Sequence, residues 1–208
     1  MTIPMALVDY IPVLLFALSA TLMLKDLYRA MSKGAYALMA AGSLMIVAAG
    51  FFKATWKLLY AANICDFDAL NRCFFPMQAT GFLLAGIALV CLLVFRQHEA
   101  ALSVAVPAVF TGTMIFVSMM VLGALGLCVS LTIIALRMKK RSAAVLFLLA
   151  FVFMMGMGYL SSKDFADPMM NWMAEGVNVV GQGMLFAALR ILHKTGLSTV
   201  RDVRAMNA

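Results

Sequence analysis

The chain has 208 residues, of which 65% are apolar and only 12% charged, and its formal net charge is +7. A soluble domain is about 45–50% apolar and about 25% charged, and a domain of this size has too much surface to hide the excess in an aqueous core. The composition therefore excludes an ordinary soluble domain and makes lipid the solvent for most of the chain. The basic residues stand in short clusters between apolar runs, which reads as a topology signal rather than a nucleic-acid surface.

The expected architecture is one polytopic domain over residues 1–208, with short loops. Met1 to Tyr10 has no basic n-region and no small-residue cleavage site, so the first apolar run is read as a retained helix. That run extends from Val8 to Leu24 and ends in Lys25, Asp26, Arg29 and Lys33. The second extends from Gly34 to Ala62, and a polar stretch, Asn63 to Arg72, follows it. The third covers Phe74 to Phe95 and stops at Arg96-Gln97-His98-Glu99.

Ala100 to Leu136 is apolar for 37 residues. As one helix it would be about 55 Å long, against a hydrocarbon core of about 30 Å. Two helices with a tight turn near Ser118 bring Lys25, Arg29, Lys33, Arg96, Arg137, Lys139, Lys140, Arg141, Arg190 and Lys194 to one side. A single helix would put the Arg137–Arg141 cluster on the wrong side. The next run is Ala143 to Leu160, and the last is Met169 to Leu192, before a basic tail. The expectation is a seven-transmembrane-helix bundle, all α, with the N-terminus outside and the C-terminus cytoplasmic.

An internal repeat fits the same plan. A shift of 108 residues aligns Arg29 with Arg137, Lys33 with Arg141, and Gly50-Phe51 with Gly158-Tyr159. Gln78 resembles Gln182 in a nearby frame. Helices one to three and five to seven would then be parallel copies joined by the fourth, a 3+1+3 plan. Sugar-efflux and PQ-loop carriers share that plan, but their Pro-Gln dipeptide is missing (the chain has Phe75-Pro76-Met77-Gln78), so membership is not assigned.

Function has to be read from polar residues placed where hydrocarbon is expected, because such groups are costly there. On the second helix Lys53, Trp56, Lys57 and Tyr60 share a face. On the seventh, Asn171, Glu175, Asn178 and Gln182 make a second stripe. Counted from the helix ends, Lys53 lies about 13 Å deep and Glu175 about 9 Å. The expectation is that these two helices are neighbours, that Lys53 pairs with Glu175, and that a polar cleft opens outward between them. Two lysines against one glutamate suit an anionic or zwitterionic small molecule. Gln78, just after Pro76, is a further candidate wall residue, and Phe51, Phe52, Phe74 and Phe75 are candidate aromatic ones. Cys65 and Cys73 bracket the loop at the mouth and are disulfide candidates on the oxidising side.

Other classes fit poorly. A retinal protein needs a lysine within the last helix, and none precedes Lys194. His98 and His193 both lie at cytoplasmic helix ends, which suits neither a metal site nor a haem anchor. The nineteen methionines invite a copper reading, but adaptable packing explains them more simply. No catalytic residue, metal or cofactor is assigned. Two classes are kept: a small transporter or solute-binding permease, and a non-transporting sensor or docking subunit in which the Lys53–Glu175 pair is a brace. The expected partners are the bilayer, the small ligand, and a protein partner or second copy, with no nucleic acid.

Overall fold

The computed structural model describes residues 2–94, 113–161, 168–200 and 202–203. Its elements are α1 (Ile3–Val8), α2 (Tyr10–Leu27), α3 (Lys33–Ala61), α4 (Asp68–Val94), α5 (Thr113–Arg137), α6 (Arg141–Ser161) and α7 (Pro168–Lys194), then a single 3₁₀ turn at Leu197–Thr199. The chain is all-helical, and five spans are long and apolar enough to cross a bilayer: Ile3–Leu27, Lys33–Ala61, Asp68–Val94, Met114–Arg137 and Arg141–Leu160. That marks a multi-pass membrane protein. The sixth long helix, α7, misses this class because the Asn171, Glu175, Asn178 and Gln182 stripe dilutes its apolar residues.

Local chemistry explains the helix limits. Pro12 cannot bond the Val8 carbonyl, and the break between α1 and α2 falls there, at Asp9. Ser32 caps α3, its hydroxyl accepting from the Ala35 amide at 3.3 Å. Lys139 turns the chain between α5 and α6 at φ 59°, and Gly196, at φ 91°, follows the end of α7. The third helix starts earlier than its apolar run, at Asp68, so Pro76 lies inside α4 rather than at its entrance. The expected turn near Ser118 does not exist. α5 runs unbroken through that residue, whose hydroxyl bonds back to the Met114 carbonyl at 3.0 Å. The fourth helix was expected from Ala100 to that turn; residues 100–112 of it lie outside the described residues, and the rest belongs to α5.

The long helices pack in a closed ring in chain order: α2 on α3, α3 on α4, α4 on α5, α5 on α6, α6 on α7, and α7 back on α2. Two of these seams join parallel helices. On α4 and α5, Phe75 meets Phe116 edge to face at 6.1 Å, and seven residues further along both chains Phe82 meets Gly123. On α7 and α2, Glu175 lies near Asp9 through their shared lysine, while His193 meets Asp26 at the other ends. At the α4–α5 seam a Cβ on Gly123 would collide with the backbone of Phe82 and Leu83, so glycine is what lets the two helices touch. The glycines of α7 divide. Gly181 packs on Phe153 of α6, but Gly176 and Gly183 have open space beside them.

The two ends of the ring differ in charge. One carries Lys25, Arg29, Lys33, Arg137, Lys139 and Lys140 at helix ends and turns (the basic end). The other carries Asp9, Asp66, Asp68 and Glu175 (the acidic end). The core is solid toward the basic end, where Met23, Leu27, Leu89, Leu131, Phe147 and Leu189 are fully buried. Leu197 and Val203 of the tail close it, with the Arg137 guanidinium donating to the Val203 carbonyl at 3.2 Å.

Candidate functional site

Toward the acidic end the ring encloses a cavity of about 770 Å³. All six long helices contribute to its wall. α2 supplies Asp9 at its head, then Pro12, Val13 and Phe16; α3 supplies Ile46, Val47, Gly50, Lys53 and Lys57. α4 presents Asn71, Phe74, Phe75, Gln78 and Phe82, which are spaced by three, one, three and four residues and so share one face. α5 adds Met120, Val121 and Ala124, and α6 adds Met154, Met155 and Gly158. α7 adds Glu175, Asn178 and Gln182.

The chemistry concentrates on Lys57. Its ammonium donates to Glu175 Oε1 at 2.8 Å and also contacts the Asp9 carboxylate. All three residues are buried, Lys57 being 4% exposed, so water screens the charges little. The expected pairing of Lys53 with Glu175 is thus corrected by one helical turn. Depth counted from helix ends misled because the ends do not lie at one level, and because Asp9 and Glu175 flank Lys57 together. Lys53 instead lies over the Phe74 ring, 4.1 Å from its centroid. The expectation that the second and seventh helices are packed neighbours is corrected too. α2 lies between α3 and α7 and packs on both, so Lys57 and Glu175 meet past the head of α2.

Of the residues expected at the site, Lys53, Lys57, Gln78, Glu175, Asn178 and Gln182 line the cavity. Trp56, Tyr60 and Asn171 are not among its lining residues. Trp56 turns to the loop, where its indole donates to Asp66 at 2.9 Å, and it stacks at a tilt on Tyr60, which is exposed. Phe74 and Phe75 reach the wall, while Phe51 meets Tyr10 on the outside of the ring. Cys65 and Cys73 are free thiols, the latter donating weakly to the Leu70 carbonyl. Asp9 is the cavity residue that sequence reasoning missed. It sits at the edge of the first apolar run, where an acid passes for a loop residue.

With Asp9 included, two carboxylates face two lysines, and the formal charges of the described lining residues sum to zero. The count of two lysines against one glutamate, from which an anionic or zwitterionic ligand was expected, left out Asp9. Two acceptors on lining residues, Glu175 Oε2 and Gln182 Oε1, are buried without a hydrogen-bond donor among the described residues.

The lining also repeats. Asp9, Pro12, Val13 and Phe16 correspond, 108 residues on, to Val117, Met120, Val121 and Ala124. Ile46, Val47 and Gly50 correspond at the same shift to Met154, Met155 and Gly158. Asn71, Phe74 and Gln78 correspond at a shift of 104 to Glu175, Asn178 and Gln182. Every residue named in these pairs faces the cavity. No protein-family model, no curated protein and no solved structure matches the chain.

Proposed function

We propose that this chain is a small membrane carrier or solute-binding permease whose ligand occupies the cavity between two similar three-helix units. The observation that carries the reading is the cavity, about 770 Å³, walled by both units at matching positions. Pockets for small ligands are about 300–1,000 Å³ and mostly apolar, with a few convergent polar groups. Carriers built from repeats commonly bind at the repeat interface and expose the site by moving one unit against the other.

The units are α2–α3–α4 and α5–α6–α7, and the parallel seams α4–α5 and α7–α2 are where they meet. Because α4 and α5 run parallel, Val94 and Thr113 belong to opposite ends of the ring. That placement of the two helix ends supports seven crossings and the 3+1+3 plan. The positive-inside rule supports the basic end in the cytoplasm and the acidic end, with the N-terminus, outside. The α7–α2 seam is bridged by side chains at both ends: by Lys57 with Asp9 and Glu175 at the acidic end, and by the His193–Asp26 hydrogen bond at the basic end, at 2.8 Å. In a carrier these are the contacts that open and close in turn.

The second reading is a closed bundle braced at its mouth. It is favoured by one observation, that Lys57 is buried against two carboxylates and so is well compensated. Cysteine accessibility separates the two. In a background without native cysteines, Gly158→Cys and Ala124→Cys should react in intact cells with a charged, impermeant thiol reagent added outside, and Leu131→Cys, in the solid half, should not. Unreactive cysteines at both cavity positions would sink the carrier reading and leave the brace.

A further inference from the structure

We infer that the ligand is a net-neutral amphiphile, with a zwitterionic or hydroxylated head at the Asp9–Lys57–Glu175 mouth and an apolar body among the phenylalanines and methionines below. This rests on reading the cavity as a binding site.

The first argument is charge. The two lysines and two carboxylates among the described lining residues cancel, so neither sign of charge is in excess there. They are nonetheless separated in space. Lys57 is held between the carboxylates, while Lys53 lies against the Phe74 ring on the wall formed by α3 and α4. A head that carries both signs, or several hydroxyls, complements such a mouth. The buried Glu175 Oε2, which lacks a donor among the described residues, calls for a donor on that head or a water held by it.

The second argument is the wall. Away from the mouth the lining is Phe16, Phe82, Ile46, Val121, Met120 and Met154, broken by Gln78 and Gln182. A hydrophilic solute would lose water from its polar groups against these side chains without recovering hydrogen bonds, which costs on the order of 1–3 kcal/mol for each group. An apolar chain gains there instead, and methionine adapts to its shape. At the roughly 30 Å³ that a water occupies in the liquid, the volume holds about 25 non-hydrogen atoms. That is too much for an amino acid or a monosaccharide and suits a head with a chain of about eight to twelve carbons.

The test uses the full chain in lipid nanodiscs and reads its unfolding midpoint against five probes below their micellar concentrations. Octylphosphocholine and octyl glucoside are net-neutral amphiphiles, octyl phosphate and octylamine are charged ones, and phosphocholine is a head without a body. Gly158→Leu is run beside the wild type. It adds four carbons to the wall and narrows the cavity (the filled variant), at a position where nothing stands within 4 Å of a Cβ. Should its unliganded midpoint fall, Val121→Phe fills the same space from α5.

The expected result is a saturable rise of about 5 °C with the two neutral amphiphiles, lost in the filled variant, and less than a third of that rise with the other three probes. An equal rise with phosphocholine alone overturns the amphiphile and leaves the binding site standing. A larger rise with octyl phosphate or octylamine overturns net neutrality. Equal rises in the wild type and the filled variant mean partition into the lipid, which overturns the inference. No rise with any probe overturns both the inference and the binding-site reading. Lipid extracted with the purified protein distinguishes the source: a resident single-chain lipid in the wild type, absent from the filled variant, identifies the bilayer as the supplier.

Discussion

The α7–α2 seam is closed by polar side-chain contacts at both ends, yet the two ends are built differently. At the acidic end Lys57, Asp9 and Glu175 are all buried and stand over a cavity. At the basic end His193 keeps about a third of its side chain exposed, Asp26 is buried, and both stand over a solid core of Met23, Leu27, Leu189 and Leu192. Ion pairs shielded from water are strong but leave a large penalty when one partner goes, whereas a pair backed by close packing is one contribution among many. The acidic end therefore depends on three side chains, and the basic end on its core.

Removing Lys57 breaks this contrast most severely. Lys57→Met fills similar volume but leaves Asp9 and Glu175 facing each other without a cation. The expected loss is about 3–5 kcal/mol of stability, read as a drop in the unfolding midpoint of the purified protein. Glu175→Gln should lose less, because Asp9 still pairs with the lysine. In the double variant the losses should not add, since the residues share one network. Additive losses would mean that the lysine and the glutamate act independently.

Next is the other parallel seam. Gly123→Ala places a Cβ against the backbone of Phe82 and Leu83, which no side-chain rotation relieves. An overpacking loss of about 2–3 kcal/mol is expected. Gly176→Ala, on the open face of α7, should be neutral or slightly stabilising, because alanine favours a helix by about 1 kcal/mol over glycine. Equal losses at the two positions would show that α4 and α5 do not touch as closely as described.

Sequence reasoning reached the helices better than their arrangement. Apolar run lengths and charge punctuation located α3, α6 and α7 to within about two residues, because lipid solvation acts on composition directly. Ring order leaves no such trace. The stripe of Glu175, Asn178 and Gln182 was visible at spacings of three and four, and these residues do face the cavity. Their partner was misassigned because helix tilt and end height are set by packing, not by the residue's own neighbours. Asp9 was invisible as a site residue for the same reason, since its importance comes from α3 and α7. The turn placed at Ser118 assumed that a long apolar stretch divides near its middle. α5 runs through that point, and the Ser118 hydroxyl bonds back to the Met114 carbonyl, a common way to satisfy serine within a helix.

The basic end supplies the milder counterpart of the first experiment. Asp26→Asn keeps the shape of the side chain and removes its charge. An expected loss of about 1–2 kcal/mol compares with the larger one at Lys57, because His193 reaches water and Leu27, Leu189 and Leu192 hold the helices regardless. A loss as large as that of Lys57→Met would mean that both ends of the seam hang on their ion pairs.

The smallest effect belongs to Arg72 and Asp68, one turn apart at the start of α4. They form a salt bridge on the same acidic end as Lys57, and by proximity alone the two pairs look alike. Their surroundings differ: the Arg72 side chain is 82% exposed, and water and salt screen its charge. Arg72→Ala should therefore change stability by at most about 0.5 kcal/mol and leave amphiphile binding untouched. The same unfolding and binding measurements check it. A loss approaching that of Lys57→Met would show that position at the acidic end, rather than burial over the cavity, decides how much a charge matters there.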